Sequence, residues 1–372
     1  MIRGSKGEGM LPSDGILSEE IKRKIRIPYA LRRVPEQAFA HLLPVPSQPA
    51  IGDVTLAEVT QVGKNTALEL SSGRRCALHR GDLIAVAFGN RYATMQYEGY
   101  ARIQDGQCDL LSMGGLCGIV ESKRDGVAVP TRLRILGAIG DQSRKPLNSV
   151  HFALPPAESA SRVRVVVVCG TSMDAGKTHT VMCTIKGLSN QGYRVAGVKL
   201  TGSATGRDTW NMLDAGACVA LDFTDGGWPS TYLCPPDQLM YLYHLLVGHA
   251  QAQGAEWVVV EIADGLLQAE TAALLNHPQL RSTVDFFLFA AGEPMAAVGG
   301  IGMLRRWGIE PLAVSGVVSM SALNIREVEA AVNLRCLTAG DLRNGALATL
   351  MERATTASAP IFSNPVQVST AA

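Results

Sequence analysis

An apolar run that leads into a glycine-containing loop is the feature that most limits how this chain can fold. Residues 163–169 are almost all β-branched, and residues 170–178 read GTSMDAGKT. A continuous β-branched run is typical of a strand that is buried on both faces. Because residues 178–190 then follow a helical pattern, the sequence predicts a strand, a tight loop and a helix in immediate succession.

The loop has the composition of a phosphate-binding P-loop. Backbone N–H groups and the start of the following helix would converge on an anion. Gly176 would let the backbone approach the phosphates, Lys177 would reach the β and γ oxygens, and Thr178 would bind Mg²⁺. The predicted nucleotide-binding residues are Gly170, Thr171, Ser172, Met173, Asp174, Ala175, Gly176, Lys177 and Thr178.

One position departs from the strict P-loop pattern, which places its first glycine at 171. Threonine stands there in this chain, and glycine stands one place earlier, at 170. An ordinary strand–turn–helix that contains GKT by chance is the alternative interpretation. The agreement of strand, glycines, Lys-Thr pair and helix favours a P-loop.

Strands and helices alternate through the rest of the C-terminal half. Alternation of this kind predicts a parallel sheet with helices on both faces. Residues 286–304 are long and apolar enough to raise the question of a membrane span, but Glu293, Pro294 and the glycines favour a buried strand that runs into a helix. The strand patterns lie at 163–169, 194–199, 257–261, 284–289 and 312–318, and the longest helix pattern lies at 236–252.

The N-terminal half has short strand patterns between turn signals, which favour a small β-barrel or sandwich. Gly114, Gly115 and Gly118 favour a bulge or a close backbone approach, including approach to a ligand. We therefore predict an α/β chain in which a parallel-sheet P-loop NTPase domain is preceded by a smaller β-rich domain. The predicted parts are an N-terminal arm (1–50), the β-rich domain (51–155), the nucleotide-binding domain (162–350) and a loose tail (351–372), with a linker over 154–161.

Composition narrows the expected partners. The formal net charge is only +1 over 372 residues, so there is no long-range attraction for nucleic acid or for an acidic membrane surface. The eight cysteines are scattered and form no CxxC pair. Since a chain of this size does not need disulfides, we expect reduced thiols in a cytoplasmic protein, with a small molecule as its partner.

The loop resembles that of dethiobiotin synthetase and the related cobyrinate-type amidoligases, which begin with GT and end with GKT or GKS at this spacing. Residues 192–202, GYRVAGVKLTG, are similar to that family's second strand, which ends in a lysine and a polar turn at the substrate. The similarity spans roughly residues 163–318 and leaves the N-terminal half without a counterpart. It implies ATP and Mg²⁺ as cofactors. These enzymes often place substrate at a dimer interface, so a homodimer is possible, but the sequence does not determine the oligomeric state. A more distant resemblance is to the P-loop family that includes D-glutamate N-acetyltransferases.

Three residues are predicted to be catalytic: Lys177, Lys199 and Asp174. Lys199 stands at the carboxyl end of the strand expected beside the P-loop strand, where ligands of open α/β sheets bind. A cation there could stabilise a transferring phosphoryl group or hold a substrate carboxylate, although an exposed lysine at a strand end is the alternative. Asp174, inside the loop, could orient a substrate amine or a water, or could face solvent.

Four residues are predicted to bind metal: Thr178, Glu261, Asp208 and Asp264. Glu261 ends an apolar strand and is favoured by the resemblance, while Asp264 follows on the next loop; one of the two is expected to be functional. Asp208 is a second candidate, because Mg²⁺ takes one or two carboxylates together with phosphate oxygens. It could equally serve as the N-cap of a helix that starts near residue 209.

The leading hypothesis is an ATP- and Mg²⁺-dependent ligase or synthetase that activates a carboxylate or carbamate of a small molecule by phosphoryl transfer. An acyl-CoA-dependent N-acyltransferase, a small-molecule kinase and a nucleotide-dependent switch module are the alternatives. The choice between ATP and GTP stays open. The similar enzymes usually present an asparagine after the GVV of a late strand, and here residues 316–318 are followed by Ser319 and Met320.

Overall fold

A computed structural model describes residues 15–157 and 162–357. In the N-terminal half, eight strands form one sheet and two short strands pair separately. Sheet strands alternate with helices in the C-terminal half. The N-terminal strands are β1 (His41–Leu43), β2 (Val54–Gln61), β3 (Ala67–Glu69), β4 (Arg75–Ala77), β5 (Leu83–Phe88), β6 (Arg91–Tyr92), β7 (Tyr97–Tyr100), β8 (Gln107–Leu110), β9 (Leu116–Lys123) and β10 (Thr131–Gly140).

The N-terminal sheet closes on itself, so of the two predicted forms the barrel is the one observed. Strand β8 pairs with both β9 and β10, which completes a ring in the order β2, β5, β9, β8, β10. Alternate residues of β5 face different cores. Ile84, Val86 and Phe88 pack inside the ring, whereas Leu83, Ala85 and Ala87 pack against the chain that precedes it.

Residues 15–50 of the segment predicted as an arm are part of this barrel unit, and for them that prediction needs correction; residues 1–14 lie outside the described residues. Leu17, Ile21 and Phe39 are buried against the outer side of β2 and β5, and β1 joins the sheet beside β10. A short helix, α1 (Glu19–Lys22), is capped by Ser18. Apolar residues in a charged segment suffice to cover one barrel face, because burial of each removes apolar surface from water.

The C-terminal sheet has six strands, all paired in parallel, in the order β13-β12-β14-β11-β15-β16. The first strand, β11, lies near the centre, with β14 on one side and β15 on the other. Val165 and Val167 enter the core on one face of the sheet, and Val166 and Val168 enter the core on the other. The strands are β11 (Arg164–Gly170), β12 (Val195–Lys199), β13 (Val219–Asp222), β14 (Trp257–Glu261), β15 (Phe286–Ala290) and β16 (Ala313–Ser315).

Helices cover both faces of this sheet, as the alternation predicts. They are α2 (Lys177–Asn190), α3 (Arg207–Asp214), α4 (Pro236–Ala252), α5 (Ala269–Asn276), α6 (Pro278–Thr283), α7 (Pro294–Arg306), α8 (Ala322–Val332), α9 (Ala339–Arg343) and α10 (Ala346–Ala357). The stretch that raised the question of a membrane span forms β15 and α7. Among the helices that the structure describes, none has both the length and the apolar character to cross a bilayer.

Helix α10 also corrects the predicted tail, since its last turns occupy residues predicted to be loose. Residues 358–372, and residues 158–161 of the predicted linker, lie outside the described residues. The boundaries between the predicted parts therefore stay predictions.

The barrel packs on the segment that joins β12 to α4. Gly114 lies so near the backbone that an added Cβ would sit 2.0 Å from the carbonyl oxygen of Ala204. The close approach predicted at this glycine is thus made to another part of the chain. Glu69, at the end of β3 in the N-terminal half, accepts hydrogen bonds from Thr205 Oγ1 at 2.9 Å and from Gly206 N at 3.1 Å.

Buried charges complete this contact. Asp222 is fully buried at the end of β13 and accepts hydrogen bonds from the Tyr29 hydroxyl at 2.9 Å and from Arg32 Nη1 at 3.0 Å. Arg32 also donates to Asp225 at 2.6 Å. The carboxylates raise the pKa of Arg32 despite its burial, which would otherwise lower it. The barrel therefore lies against the carboxyl end of the sheet, where the sequence predicts that a ligand binds.

Candidate functional site

The loop between β11 and α2 has the backbone of a phosphate cradle. Gly176 immediately precedes α2 with φ +95°, and a Cβ there would lie 2.9 Å from the Cα of Gly316. Asp174 also has a left-handed backbone, with φ 63°. Successive N–H groups that follow such turns form a concavity suited to an anion. The fold is that of a P-loop NTPase domain preceded by a smaller β-rich domain, as the sequence predicts.

Steric crowding explains why the first glycine of the loop stands at 170 and not at 171. A Cβ at Gly170 would lie 2.5 Å from the carbonyl oxygen of Ala290 on β15 and 2.9 Å from Cγ of Lys177. Thr171 instead donates its N–H to that same Ala290 oxygen at 3.0 Å, which continues the strand pairing by one residue. The chain thus needs glycine at the strand end and tolerates a side chain at 171.

Lys177 lies across the mouth of the loop. Its side chain is buried, and its Nζ donates to the carbonyl oxygen of Ser172 at 2.7 Å. Burial lowers the pKa of Lys177, and the carboxylates of Glu261 and Asp264 oppose that shift. An anion in the loop would supply the further acceptors that a buried ammonium group requires.

A chain of hydrogen bonds joins the predicted metal and catalytic residues. Thr178 Oγ1 donates to Glu261 Oε1 at 2.8 Å, and Lys199 Nζ lies 3.4 Å from the same oxygen. Lys199 also donates to Asp208. Strand register explains the proximity, because Lys199 and Glu261 are Cα partners at the carboxyl ends of β12 and β14.

Lys199 is buried within this chain of bonds, so it is not the exposed strand-end lysine of the alternative interpretation. Burial acts to lower the pKa of Lys199, but Asp208 and Glu261 outweigh it and raise that pKa. The side chain therefore carries a positive charge at neutral pH. The N-cap alternative for Asp208 does not hold either. Asp208 is inside α3, whose N-cap is Gly206 with no side-chain hydrogen bond.

The donor set suits a hard divalent cation. Glu261 is 1% exposed, and its Oε2 has no hydrogen-bond partner within the described residues. Thr178 contributes a hydroxyl oxygen beside it, and oxygen donors of this kind are those that Mg²⁺ takes. Among the described residues no group of three or more His, Cys, Asp or Glu side chains is placed to hold a metal. A metal here would therefore also need oxygens from a bound nucleotide.

These residues line one cavity of about 480 Å³. Asp264, at the tip of the loop after β14, lies in its wall with φ 62°. Burial raises the pKa of Asp264, and Lys177 and Lys199 oppose the rise. The cavity thus brings together all three predicted catalytic residues and all four predicted metal residues: Asp174, Lys177, Thr178, Lys199, Asp208, Glu261 and Asp264.

A second cavity, of about 530 Å³, adjoins the loop at Gly176 and His179. Its walls come from the start of α2, the chain after β16 and the start of α9. Ser319 donates to the carbonyl oxygen of Gly316 at 2.8 Å, so its hydroxyl shapes this turn. A nucleotide with its phosphates in the loop would have room for its base on this side.

The comparisons with known proteins give distant structural likenesses. No family model and no curated protein matches the sequence. Among solved structures, the chain is similar to the 54 kDa protein of the signal recognition particle from Aeropyrum pernix K1 in complex with GDP, with 18% identity and a TM-score of 0.37 over 56% of this chain and 54% of that one. The matched part is thus about half of that protein's length.

Two further likenesses are similarly remote. The kinase domain of Escherichia coli tyrosine kinase ETK has 14% identity and a TM-score of 0.31 over 42% of this chain and 68% of that one. FtsY from Mycoplasma mycoides has 13% identity and a TM-score of 0.35 over 48% of this chain and 61% of that one. Similarities this remote carry no argument about activity or substrate.

Sequence reasoning missed the barrel's contribution to the site. Arg91, Tyr92 and Ala93 line the same cavity as the P-loop, as does Arg207 from the first turn of α3. Arg207 follows the predicted polar turn and could have been noticed beside Asp208. No local pattern marks Arg91, because only the packing of the barrel on the sheet edge brings it to the loop.

Proposed function

We propose that this chain is an ATP- and Mg²⁺-dependent ligase or synthetase of the dethiobiotin synthetase or cobyrinate amidoligase type, acting on a small carboxylic acid or carbamate. The observation that carries the proposal is the Glu261 carboxylate. One of its oxygens is hydrogen-bonded to Thr178 of the P-loop, and the other is buried without a partner in the described chain. Such a group at the mouth of a phosphate loop suits a nucleotide-bound metal.

The phosphates would lie in the loop, with Lys177 against the β and γ oxygens. Thr178 and Glu261 would hold Mg²⁺, which when bound neutralises charge on the phosphate oxygens. Asp208 serves as the counter-charge that holds Lys199 in position. The cavity around Gly176 and Met320 would take the base.

We propose a carboxylate or carbamate as the acceptor of the phosphoryl group. Such an acceptor is already ionised, so it needs cations to hold it rather than a base to activate it. Lys199 and Arg207 line the cavity beyond the loop and supply positive charge. An acceptor oxygen attacks the γ-phosphorus, the bond to the bridging oxygen breaks, and its electron pair stays on ADP. An amine then forms the C–N bond, phosphate leaves, and the amine proton passes to solvent.

The rival with a specific basis is an acyl-CoA-dependent N-acyltransferase, because the same cradle could hold the phosphates of coenzyme A. Isothermal titration with ATP·Mg²⁺ and with acetyl-CoA separates the two. We expect ATP to bind and ADP to be released when ATP, Mg²⁺ and an ammonium salt are incubated with a panel of small dicarboxylic and amino acids. Tight binding of acetyl-CoA with no binding of ATP would overturn the proposal in favour of acyl transfer.

Glu261→Gln should raise the Mg²⁺ concentration needed for half-maximal ADP release by at least about tenfold, the scale of effect seen when a partner of a metal site is lost. The amide can still accept from Thr178 but lacks the negative charge that attracts the cation. The measurement is a Mg²⁺ titration at saturating ATP. Glu327→Gln, on the exposed side of α8, is the matched control. An unchanged Mg²⁺ requirement in Glu261→Gln would remove Glu261 from the metal site.

A further inference from the structure

Arg91 is a buried guanidinium that the barrel presents to the P-loop cavity. It begins β6, is 8% exposed, and lines the cavity together with Lys177 and Asp264. Its Nη2 donates to Gln96 Oε1 at 2.9 Å. Its Nε and Nη1 are buried and have no hydrogen-bond partner in the part of the chain that the structure describes.

A buried guanidinium with unpaired donors lowers the stability of the folded protein, because it has lost its hydration. Burial lowers the pKa of Arg91 to about 10, with Tyr97 and Asp264 opposing the shift. Within the described residues Arg91 has no ion pair that offsets its desolvation. The planar fork of a guanidinium matches the oxygens of phosphate or carboxylate, so an anion in the cavity would satisfy the free donors.

The surroundings of Arg91 indicate which anion it faces. Asp264 interacts electrostatically with Lys177, Lys199 and Arg91, and all four side chains line the same cavity. Lys199 is hydrogen-bonded to Asp208 and Glu261, whereas Nε and Nη1 of Arg91 have no such partner among the described residues. Arg91 therefore has donors left for an anion in the cavity that it shares with Lys177, where the end of a polyphosphate would lie.

We propose that Arg91 binds the terminal phosphoryl group of a nucleotide held in the P-loop and stabilises it during transfer. The proposal rests on the proposed nucleotide binding. The N-terminal half would then contribute directly to phosphoryl transfer. Other P-loop enzymes use an arginine for this purpose, which a partner protein or another segment of the same chain supplies.

The test uses ADP and ADP with aluminium fluoride, a mimic of the transferring phosphoryl group. For Arg91→Ala we expect ADP affinity within about twofold of the wild type, since ADP lacks the group that Arg91 holds. We expect affinity for the aluminium fluoride complex to fall about 10- to 100-fold, the scale of lost hydrogen bonds to a charged group. Arg91→Lys should lose less, because it keeps the charge but not the fork.

Arg102→Ala is the matched control, because Arg102 lies on the same barrel, is exposed, and forms an ion pair with the similarly exposed Glu121. Equal affinity of wild type and Arg91→Ala for the aluminium fluoride complex would overturn the role of Arg91 while leaving nucleotide binding intact. A wild-type protein that binds neither ADP nor ATP would overturn both proposals together. An equal loss for ADP and for the complex would show a structural role and would also overturn this one.

Discussion

Lys177→Ala should reduce ADP release at least about 100-fold and weaken ATP binding about 10- to 100-fold. The ammonium group lies buried at the mouth of the loop, where its Nζ already contacts the carbonyl oxygen of Ser172. In the proposed reaction it stabilises the charge that spreads over the transferring phosphoryl group. Alanine removes that charge from a buried site, where no water can replace it fully.

Affinity is measured by titration calorimetry and turnover by coupled ADP release. Lys186→Ala is the control, because Lys186 is on the same helix, α2, but is exposed. Lys177→Ala must keep the wild-type circular dichroism spectrum, so that a loss of binding is not a loss of folding. Should Lys177→Ala bind ATP and release ADP as the wild type does, the enzyme proposal fails and only the α/β architecture remains.

Asp222→Ala should lower the free energy of unfolding by about 3–5 kcal/mol, the cost of breaking a buried ion pair by removing one partner. Asp222 is 0% exposed, and its carboxylate accepts from Tyr29, Arg32 and Thr224. After substitution, Arg32 would keep Asp225 as its one carboxylate partner among the described residues. The contact between the barrel and β13 would weaken most.

Urea denaturation followed by circular dichroism measures the loss. Asp214→Ala, at an exposed position at the end of α3, should change the free energy by less than about 0.5 kcal/mol. A double-mutant cycle with Arg32→Met sharpens the test, since residues in one network are not additive. If the two losses simply add, Asp222 and Arg32 do not act as a pair.

Much of the P-loop domain could be predicted because its signals lie in consecutive residues. The pattern at 236–252 matches helix α4, Pro236–Ala252, and the pattern at 257–261 matches strand β14, Trp257–Glu261. Lys199 and Glu261 could be placed at strand ends from the ends of their apolar runs. Their shared hydrogen-bond network depends on the parallel register of β12 and β14. No single segment of the sequence encodes that register, because it involves two strands that are far apart in the chain.

The N-terminal half was less predictable, because barrel pairing joins strands far apart in the chain. Short strand patterns could not distinguish a barrel from a sandwich, since that choice depends on β8 pairing with both β9 and β10. The charged composition of the first 50 residues favoured an arm, yet a few apolar side chains between residues 17 and 39 dock that part of the chain on the barrel. Tertiary contact outweighed local composition there.

By itself the sequence determined the α/β class, the strand–loop–helix at residues 163–190 and the identities of the lysines and carboxylates expected in the site. Backbone preferences and hydrophobic periodicity act over a few residues, so they can be read locally. The tertiary structure alone decided that Asp208 pairs with Lys199 and that Arg91 reaches the P-loop cavity. Both depend on packing between segments remote in the chain, where the position of each side chain is set by surfaces that no local pattern describes.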